Sequence, residues 1–550
     1  MHRTFRVIFR NLLCWICCMV GANGLMAQNV AGGTISGSFQ TDVQYLFPDS
    51  IIGAEKVDEN ILSNSFLQLT YRNGGFTAGL RYEAYLNPLL GFDPRFEGQG
   101  IANRFASYSS EHFDVTVGNI YDQFGNGIVF RSYQEWTLGI DNSVDGVAVR
   151  VRPTEGVTLK GILGKQRFFW ERGEGIVRGA DGELNLNQLI PSMAESKTRL
   201  VLGGSVVSKF EKDEDSQLQL PENVTAFSGR LNLTHGGLNI NGEYAYKIND
   251  PNSQNDYVYN PGNALYLNAT YSRKGFAVIA SAKRIDNFDF RSQREVTFQE
   301  LTLNFLPPTS RFHTYRLPTL YPYATQFNGE VGFSTTLLYK IPKKTKLGGK
   351  YGTQLQLNYS RINGLDKMYD DPPFTYETSF LGDPQKLYFQ DLNFEINRKW
   401  NKKLRTILTG IWMQYNQDVV ELGIESDSVN LVDVKMAVLE VQYRVNRKTA
   451  LRGELQYMGT PDDRGSWAMA LIEASFSPHW YITIFDEYNY GNPVEALRAH
   501  YYNGSVAYNF GATRIGFSYS RQRRGLLCVG GICREVPASN GFGLNITSSF

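Results

Sequence analysis

The sequence predicts an all-β protein, a transmembrane antiparallel β-barrel, and three observations carry that prediction. Apolar and polar residues alternate with period two along most of the chain. The alternating stretches run about 9–14 residues, longer than the roughly five or six usual for soluble strands. Tight turns and long polar loops alternate between them, which suits a barrel with two unlike ends.

Composition removes the competing classes. The 550 residues carry 55 Lys+Arg against 54 Asp+Glu, a formal net charge of +1. No basic excess is available to displace counterions from phosphates, so nucleic acid is excluded as a partner. Hydrophobic residues make up 42% and aromatics 13%, too much for chain-wide disorder. Beyond residue 27 no apolar run approaches the roughly 18–20 residues of a spanning helix.

Residues 1–27 read as a signal peptide. Arg3, Arg6 and Arg10 precede an apolar run at 12–20, and Leu25-Met26-Ala27 precedes the expected cut before Gln28. The run is too short for an anchor helix. Leu13, Ile16 and Cys17 stand before the cysteines at 14, 17 and 18, where lipidation needs a small residue.

Residues 28–550 then form one barrel domain. Leu67, Leu69 and Tyr71 alternate with Gln68, Thr70 and Arg72. After the turn at Asn73-Gly74-Gly75, Phe76, Ala78, Leu80 and Tyr82 alternate with Thr77, Gly79, Arg81 and Glu83. The same writing returns at Leu355/Leu357/Tyr359 and Leu451/Leu455/Tyr457. A soluble sandwich produces this alternation too, with its apolar face inward. Strand length, the turn–loop rhythm and aromatics toward strand ends favour the barrel, whose apolar face meets lipid. Those aromatics include Tyr45, Phe47, Tyr82, Tyr85, Tyr244, Tyr246, Trp480, Tyr488 and Tyr490.

Tight turns are expected near 73–74, 153–156, 235–236, 273–275, 400–402, 446–448, 477–479 and 511–512. Long loops are expected near 48–60, 86–103, 121–143, 249–260, 286–325, 362–385 and 417–428. A strand around 178–190 is needed to keep the rhythm, which brings the count to about 24, within roughly 18–26. Near the carboxyl end, Phe542, Leu544 and Ile546 alternate with polar or small residues, and the chain ends on Phe550. This ending resembles the signal read by the outer-membrane assembly machinery, and its strand is expected to close the barrel against the first.

No catalytic or metal-binding constellation emerges, and no enzyme activity or cofactor is expected. The six histidines are scattered, and no HExxH motif or P-loop is present. Gly173-Glu174-Gly175 with Gly179 has the wrong spacing for a dinucleotide loop and reads as a hairpin loop. Cys528 and Cys533 enclose Val529-Gly530-Gly531-Ile532 in an expected external loop. They are expected to form a small disulfide, the alternative being two reduced thiols.

The lumen wall is expected to carry Arg72, Arg81, Glu83, Arg230, Glu243, Lys247, Glu395, Glu440, Arg444, Arg452, Glu454 and Arg514. Both signs mix, so strong ion selectivity is not expected; a solvated, salt-bridged wall is the plain alternative. About 24 strands enclose a lumen wide enough to need occlusion. The few residues between Gln28 and Gly33 leave no room for an N-terminal plug or energy-coupling box such as TonB-dependent transporters have. Two loops are therefore the expected plug. The first, 124–136, offers Phe124, Arg131 and Glu135; the second, 306–323, offers Arg311, His313, Tyr315, Arg316, Tyr321 and Tyr323. Proline keeps the second out of strands, while its aromatics and arginines have surface to bury or stack. The alternative is a recognition surface for a protein partner or a sugar.

The expected function is a passive or gated channel for small polar solutes in an outer membrane, surrounded by lipid and lipopolysaccharide. The alternative is a non-transport accessory barrel whose loops dock an outer-membrane or secretion partner. The expected mature start after Ala27-Gln28, the stretch 124–135 with 138–142 behind it, and the stretches 175–183 and 525–534 resemble a porin-like family of uncharacterised outer-membrane proteins from Bacteroidota, across essentially the whole mature chain. That resemblance implies an outer-membrane location and no particular activity or site residue.

Overall fold

The computed structural model describes residues 28–297, 299–370, 374–424 and 430–550; the expected signal peptide lies outside the described residues. One 25-stranded sheet contains 24 wall strands, and the stub Gln28–Val30 pairs with the start of the first of them. Consecutive wall strands pair antiparallel from Gly33–Phe47 to Ser539–Ser549. These two outermost strands also pair, from Ser38 opposite Ser549 to Phe47 opposite Asn540. The Gly37 N–H donates to the Phe550 carbonyl at 2.8 Å, and the Phe550 N–H donates back at 2.9 Å. The sheet is a closed antiparallel barrel with no open edge.

Period two explains why the wall holds in lipid. Leu337, Leu357 and Phe394 stand directly opposite one another on three successive strands. Leu408, Leu439 and Leu455 continue the belt, followed by Ile472 opposite Ile484. Ile472 is 66% exposed and Ile484 62%. In water such a belt would forfeit about 25 cal/mol for each Å² left unburied, a loss that hydrocarbon removes. Phe76, Tyr108, Tyr339, Trp400 and Trp480 ring the belt at one end, with Tyr45, Phe47, Tyr244 and Phe542 at the other. Tyr85 departs from the expected girdle. It pairs with Asn64 on the inward face and packs against Phe66 and Phe96, because the even-numbered residues of its strand are those facing lipid.

All eight expected tight turns join strands at one end of the barrel. The opposite end carries the long connections, notably 121–143, 248–261, 287–328, 364–386 and 523–538. The strand needed near 178–190 runs instead over Glu171–Asn185, and its hairpin turn is Phe169-Trp170. Gly173 to Gly175 thus lies inside a strand rather than in a hairpin loop. The reason is close approach: a Cβ at Gly175 would lie 2.0 Å from the Ser292 carbonyl oxygen, and one at Gly179 would lie 2.8 Å from the Phe124 ring. Both glycines clear space for loops that enter the lumen. Helices are short, and among the described residues none is long and apolar enough to cross a membrane.

Candidate functional site

Loops 121–143 and 287–328 lie inside the barrel at its loop-bearing end. Phe124, Ile128, Val129 and Phe130 of the first, with Phe288, Phe290, Leu303 and Leu306 of the second, form one fully or almost fully buried cluster. The inward side chains of Ile120, Val144, Ile162, Val177, Val207, Val224 and Ile285 complete it. The two loops are also stitched by backbone. The Arg131 N–H donates to the Leu303 carbonyl at 2.7 Å, and the Phe305 N–H donates to that of Gly127 at 2.9 Å. An apolar lining on a barrel's inner face is stable only under such a cover.

A buried charge cluster fixes the first loop to the wall. Arg81 Nε meets Glu83 Oε1 at 2.6 Å, and Arg167 spans Glu83 Oε2 and Asp141 Oδ2, each at 2.7 Å. Arg81 also contacts Asp141, and Tyr121 donates its hydroxyl to Asp141 Oδ1 at 2.9 Å. Two guanidiniums face two carboxylates, so the cluster is internally neutral and each charge is compensated in a low-dielectric setting.

The second loop then crosses to the far wall. His313 Nε2 lies 2.6 Å from Asp391 Oδ2. Arg311 reaches Asn393, and also Glu395 at 3.2 Å. Tyr315 donates to Glu440 at 3.4 Å, the Leu317 N–H to Gln456 at 2.9 Å and Tyr321 to Asp463 at 3.0 Å. Arg316 pairs with Glu487 and stacks over Phe485, while Tyr323 donates to Glu330 at 2.5 Å. Leu317, Tyr321 and Tyr323 are buried among inward Phe389, Ile411, Met413, Tyr415 and Trp467. Burial, with the nearby Glu440, Glu395 and Glu454 carboxylates, pushes the Tyr315 hydroxyl up to about 12, so it remains a donor at neutral pH.

A third loop element lies over the first two. Cys528 and Cys533 face each other in the hairpin Gly525–Val529/Ile532–Val536 and are joined as a disulfide. Ile532 packs on Leu138 and Ile140. Arg534 donates to the carbonyls of Thr137 and Gly91 at 2.8 and 2.9 Å, and the Thr325 N–H donates to Gly531 at 3.0 Å. Between this hairpin and the segment 308–323 lies a cavity of about 760 Å³, whose lining includes Leu90, Phe92, Phe312, His313, Leu526 and Val529.

The expected loop residues thus come together inside the barrel. Arg131 lies between the rings of Tyr133 and Phe305, and Glu135 caps the short turn at Thr137. The expected wall residues divide. Arg81, Glu83, Arg230, Glu243 and Glu454 are buried or nearly so under the loops, with Asn126 donating its N–H to Glu243 at 2.8 Å and Arg230 meeting Asp181 at 2.7 Å. Arg72 and Arg444 stand exposed at the turn end, and Arg452 pairs with Glu440, Glu454 and Glu473. Sequence reasoning missed Asp141, Arg167, Asp391, Gln456, Glu487 and Arg523, which anchor the loops. For those on the wall strands, inward parity is the signal that marks them. Among the described residues no group of three His, Cys, Asp or Glu side chains is placed to hold a metal ion.

Comparison with curated protein sequences finds no match. Solved barrel structures of low sequence identity resemble the chain distantly. The translocation pore of the P pilus usher PapC is 11% identical, with 94% of this chain and 99% of that one covered and a TM-score of 0.45. The siderophore receptor PirA from Pseudomonas aeruginosa is 11% identical over 94% of this chain and 80% of its own, at a TM-score of 0.39. The copper transporter OprC is 10% identical over 96% and 81%, also at 0.39. These likenesses concern the barrel alone. In sequence, the chain belongs to DUF6029, a family of unknown function whose model matches residues 8–550.

Proposed function

We propose that the protein is an outer-membrane channel for small polar solutes, closed at rest by its own segment 306–323. The observation that carries this reading is how that segment is held. Leu317, Tyr321 and Tyr323 pack in the buried apolar cluster. Arg311, Tyr315 and Arg316 tie the segment to the far wall through side-chain hydrogen bonds and charge pairs that are partly exposed on the loop side, which water can replace when the segment lifts. At the turn end, the lumen opens into a vestibule lined largely by polar and basic side chains. On this reading the protein is not an enzyme. It is exported by a cleaved signal peptide at 1–27, assembled through its last strand ending at Phe550, and surrounded by lipid and lipopolysaccharide. A Bacteroidota origin, implied by resemblance, belongs to the same reading.

One observation favours a second reading, a partner-docking barrel. Phe380 and Leu381 are 65% and 77% exposed on loop 364–386, and Leu422 is 65% exposed at the end of Gln417–Leu422. Apolar side chains at loop tips have no lipid to meet and suit a protein surface. Planar-bilayer recording of the full chain and of a variant lacking 306–323 separates the two readings. The channel reading expects brief openings in the first and steady current in the second. A folded, heat-modifiable deletion variant with no unitary current would contradict it.

A further inference from the structure

Where loops fill the lumen, inward cations are neutralised. Arg81, Arg167, Lys209, Arg230 and Lys283 each lie 2.6–2.8 Å from a carboxylate. The turn end is different. A cavity of about 730 Å³ opens there, and Lys340, Lys399, Arg405, Arg444 and Arg514 line it. Among the described residues none of these five has a carboxylate at ion-pair distance. Arg405 donates to Asn397 at 2.8 Å, Arg514 donates to Asn509 at 3.2 Å and stacks over Tyr481, and Lys399 lies over the Tyr351 ring. Glu473 is the one carboxylate in the described lining, and Arg452 occupies it at 2.6 Å.

The turns below reinforce the same sign. Connection 342–352 carries Lys343, Lys344, Lys346 and Lys350, connection 400–403 carries Lys402 and Lys403, and connection 445–448 carries Arg447 and Lys448. None of the three contains an acidic residue. They join successive strands, so the positive residues form one arc of the mouth rather than a scatter. The mixed signs of the expected lumen residues suggested no selectivity, but the structure separates neutral clusters under the loops from this basic arc. A concave surface lined by one sign of charge focuses its field on whatever enters. The five cations sit on lumen-facing positions, while Leu337, Phe394, Leu408, Leu439 and Phe517 of the same strands face lipid, so the field points into the cavity rather than at lipid headgroups.

We propose that this vestibule binds small multivalent anions, its unpaired lysines and arginines supplying the countercharge and neighbouring Asn397, Asn401 and Tyr481 the neutral hydrogen bonds. Its volume is that of a small-molecule site. Recognition rests on several converging charges, so a polyphosphate and a tricarboxylate share the chemistry. The inference deepens the channel reading by naming the charge of the solute, but binding does not require conduction.

The test is calorimetric titration of the full chain in detergent with tripolyphosphate, citrate or maltose. The wild type should bind one or both anions and not the sugar, and binding should weaken at least tenfold between 0.05 and 0.5 M salt. The variant K340Q/R405Q/R514Q, checked for heat-modifiable gel mobility, should bind at least tenfold more weakly. Preference for tripolyphosphate over citrate would assign the phosphate class, and the reverse the carboxylate class. Absent binding, equal binding of maltose, or an unaffected folded triple variant would overturn the proposal. A barrel that binds anions yet passes no current in bilayers would remove the channel reading and leave this one standing; current without anion binding would do the opposite.

Discussion

Gly175 and Gly229 show how differently one residue type works in this wall. A methyl group at Gly175 meets the Ser292 carbonyl at 2.0 Å, whereas one at Gly229 has nothing within 4 Å. Gly175→Ala should therefore cost about 1–3 kcal/mol, as overpacking does, and expose 287–305 to trypsin at Arg291 and Arg294. Gly229→Ala should leave both the urea midpoint and the digestion pattern unchanged. Equal behaviour of the two variants would mean that the loop does not sit against this strand. Asp49 supplies a titratable counterpart. Its carboxylate receives Arg521 Nε at 2.7 Å and Nη2 at 2.8 Å, joining loop 48–60 to the strand Thr513–Gln522. Arg521 first of all, against the opposing effect of burial, holds the Asp49 carboxyl below the usual carboxylate range. A depressed folded-state value stabilises the protein above the unfolded value of about 4, and the contribution fades as pH falls through the lower folded value. Asp49→Asn should thus lower the thermal midpoint at pH 7 and narrow its drop between pH 5 and pH 3. An identical acid profile in both proteins would show that the pair contributes nothing.

Among elements, the wall strands were legible and the lumen loops only in part, for one physical reason. A strand between lipid and water records its two faces in adjacent residues, so Leu67 to Tyr71 identify themselves. A loop anchored across the barrel records its partners far away: Arg311 meets Glu395, and Arg316 meets Glu487. Aromatics and prolines marked 306–323 as something to be buried, but nothing local to it names the wall positions it meets. The run from Gly173 to Gly175 misled because a glycine required by a distant Ser292 looks the same as one required by a turn. The disulfide hairpin Gly525–Val536 sits between these cases, since its two cysteines are close in sequence while its docking on Leu138, Ile140 and Thr325 is not. Replacing both cysteines by serine should cost about 2 kcal/mol, because the closed loop is short. Hydrogen exchange should quicken at the Thr325 N–H, which donates to Gly531, and not in wall strands. Faster exchange throughout the wall would show that the hairpin supports the barrel rather than the plug.

For the whole molecule, length and composition acquire a spatial meaning. The described residues build one wall of 24 strands, and their aromatic side chains are divided between lipid interfaces and a buried plug. A net charge of +1 conceals neutral clusters under the loops and a basic arc at the turns that has no ion-pair partner among the described residues. The central claim is that 306–323 is a gate held by contacts weak enough to release. Arg311 and Arg316 are its two partly exposed charged tethers. A pair like Arg311–Glu395 contributes up to about 1 kcal/mol, and Arg316 contributes at least as much because its partner Glu487 is buried and keeps only Arg523 when Arg316 is removed. Removing both should shift a closed–open equilibrium roughly tenfold, the factor carried by about 1.4 kcal/mol. Single-channel recording of Arg311→Ala/Arg316→Ala tests this most directly. The account predicts openings of the same unitary conductance as the wild type, with about tenfold higher open probability. A folded double variant that stays silent, or opens no more often than the wild type, would contradict it.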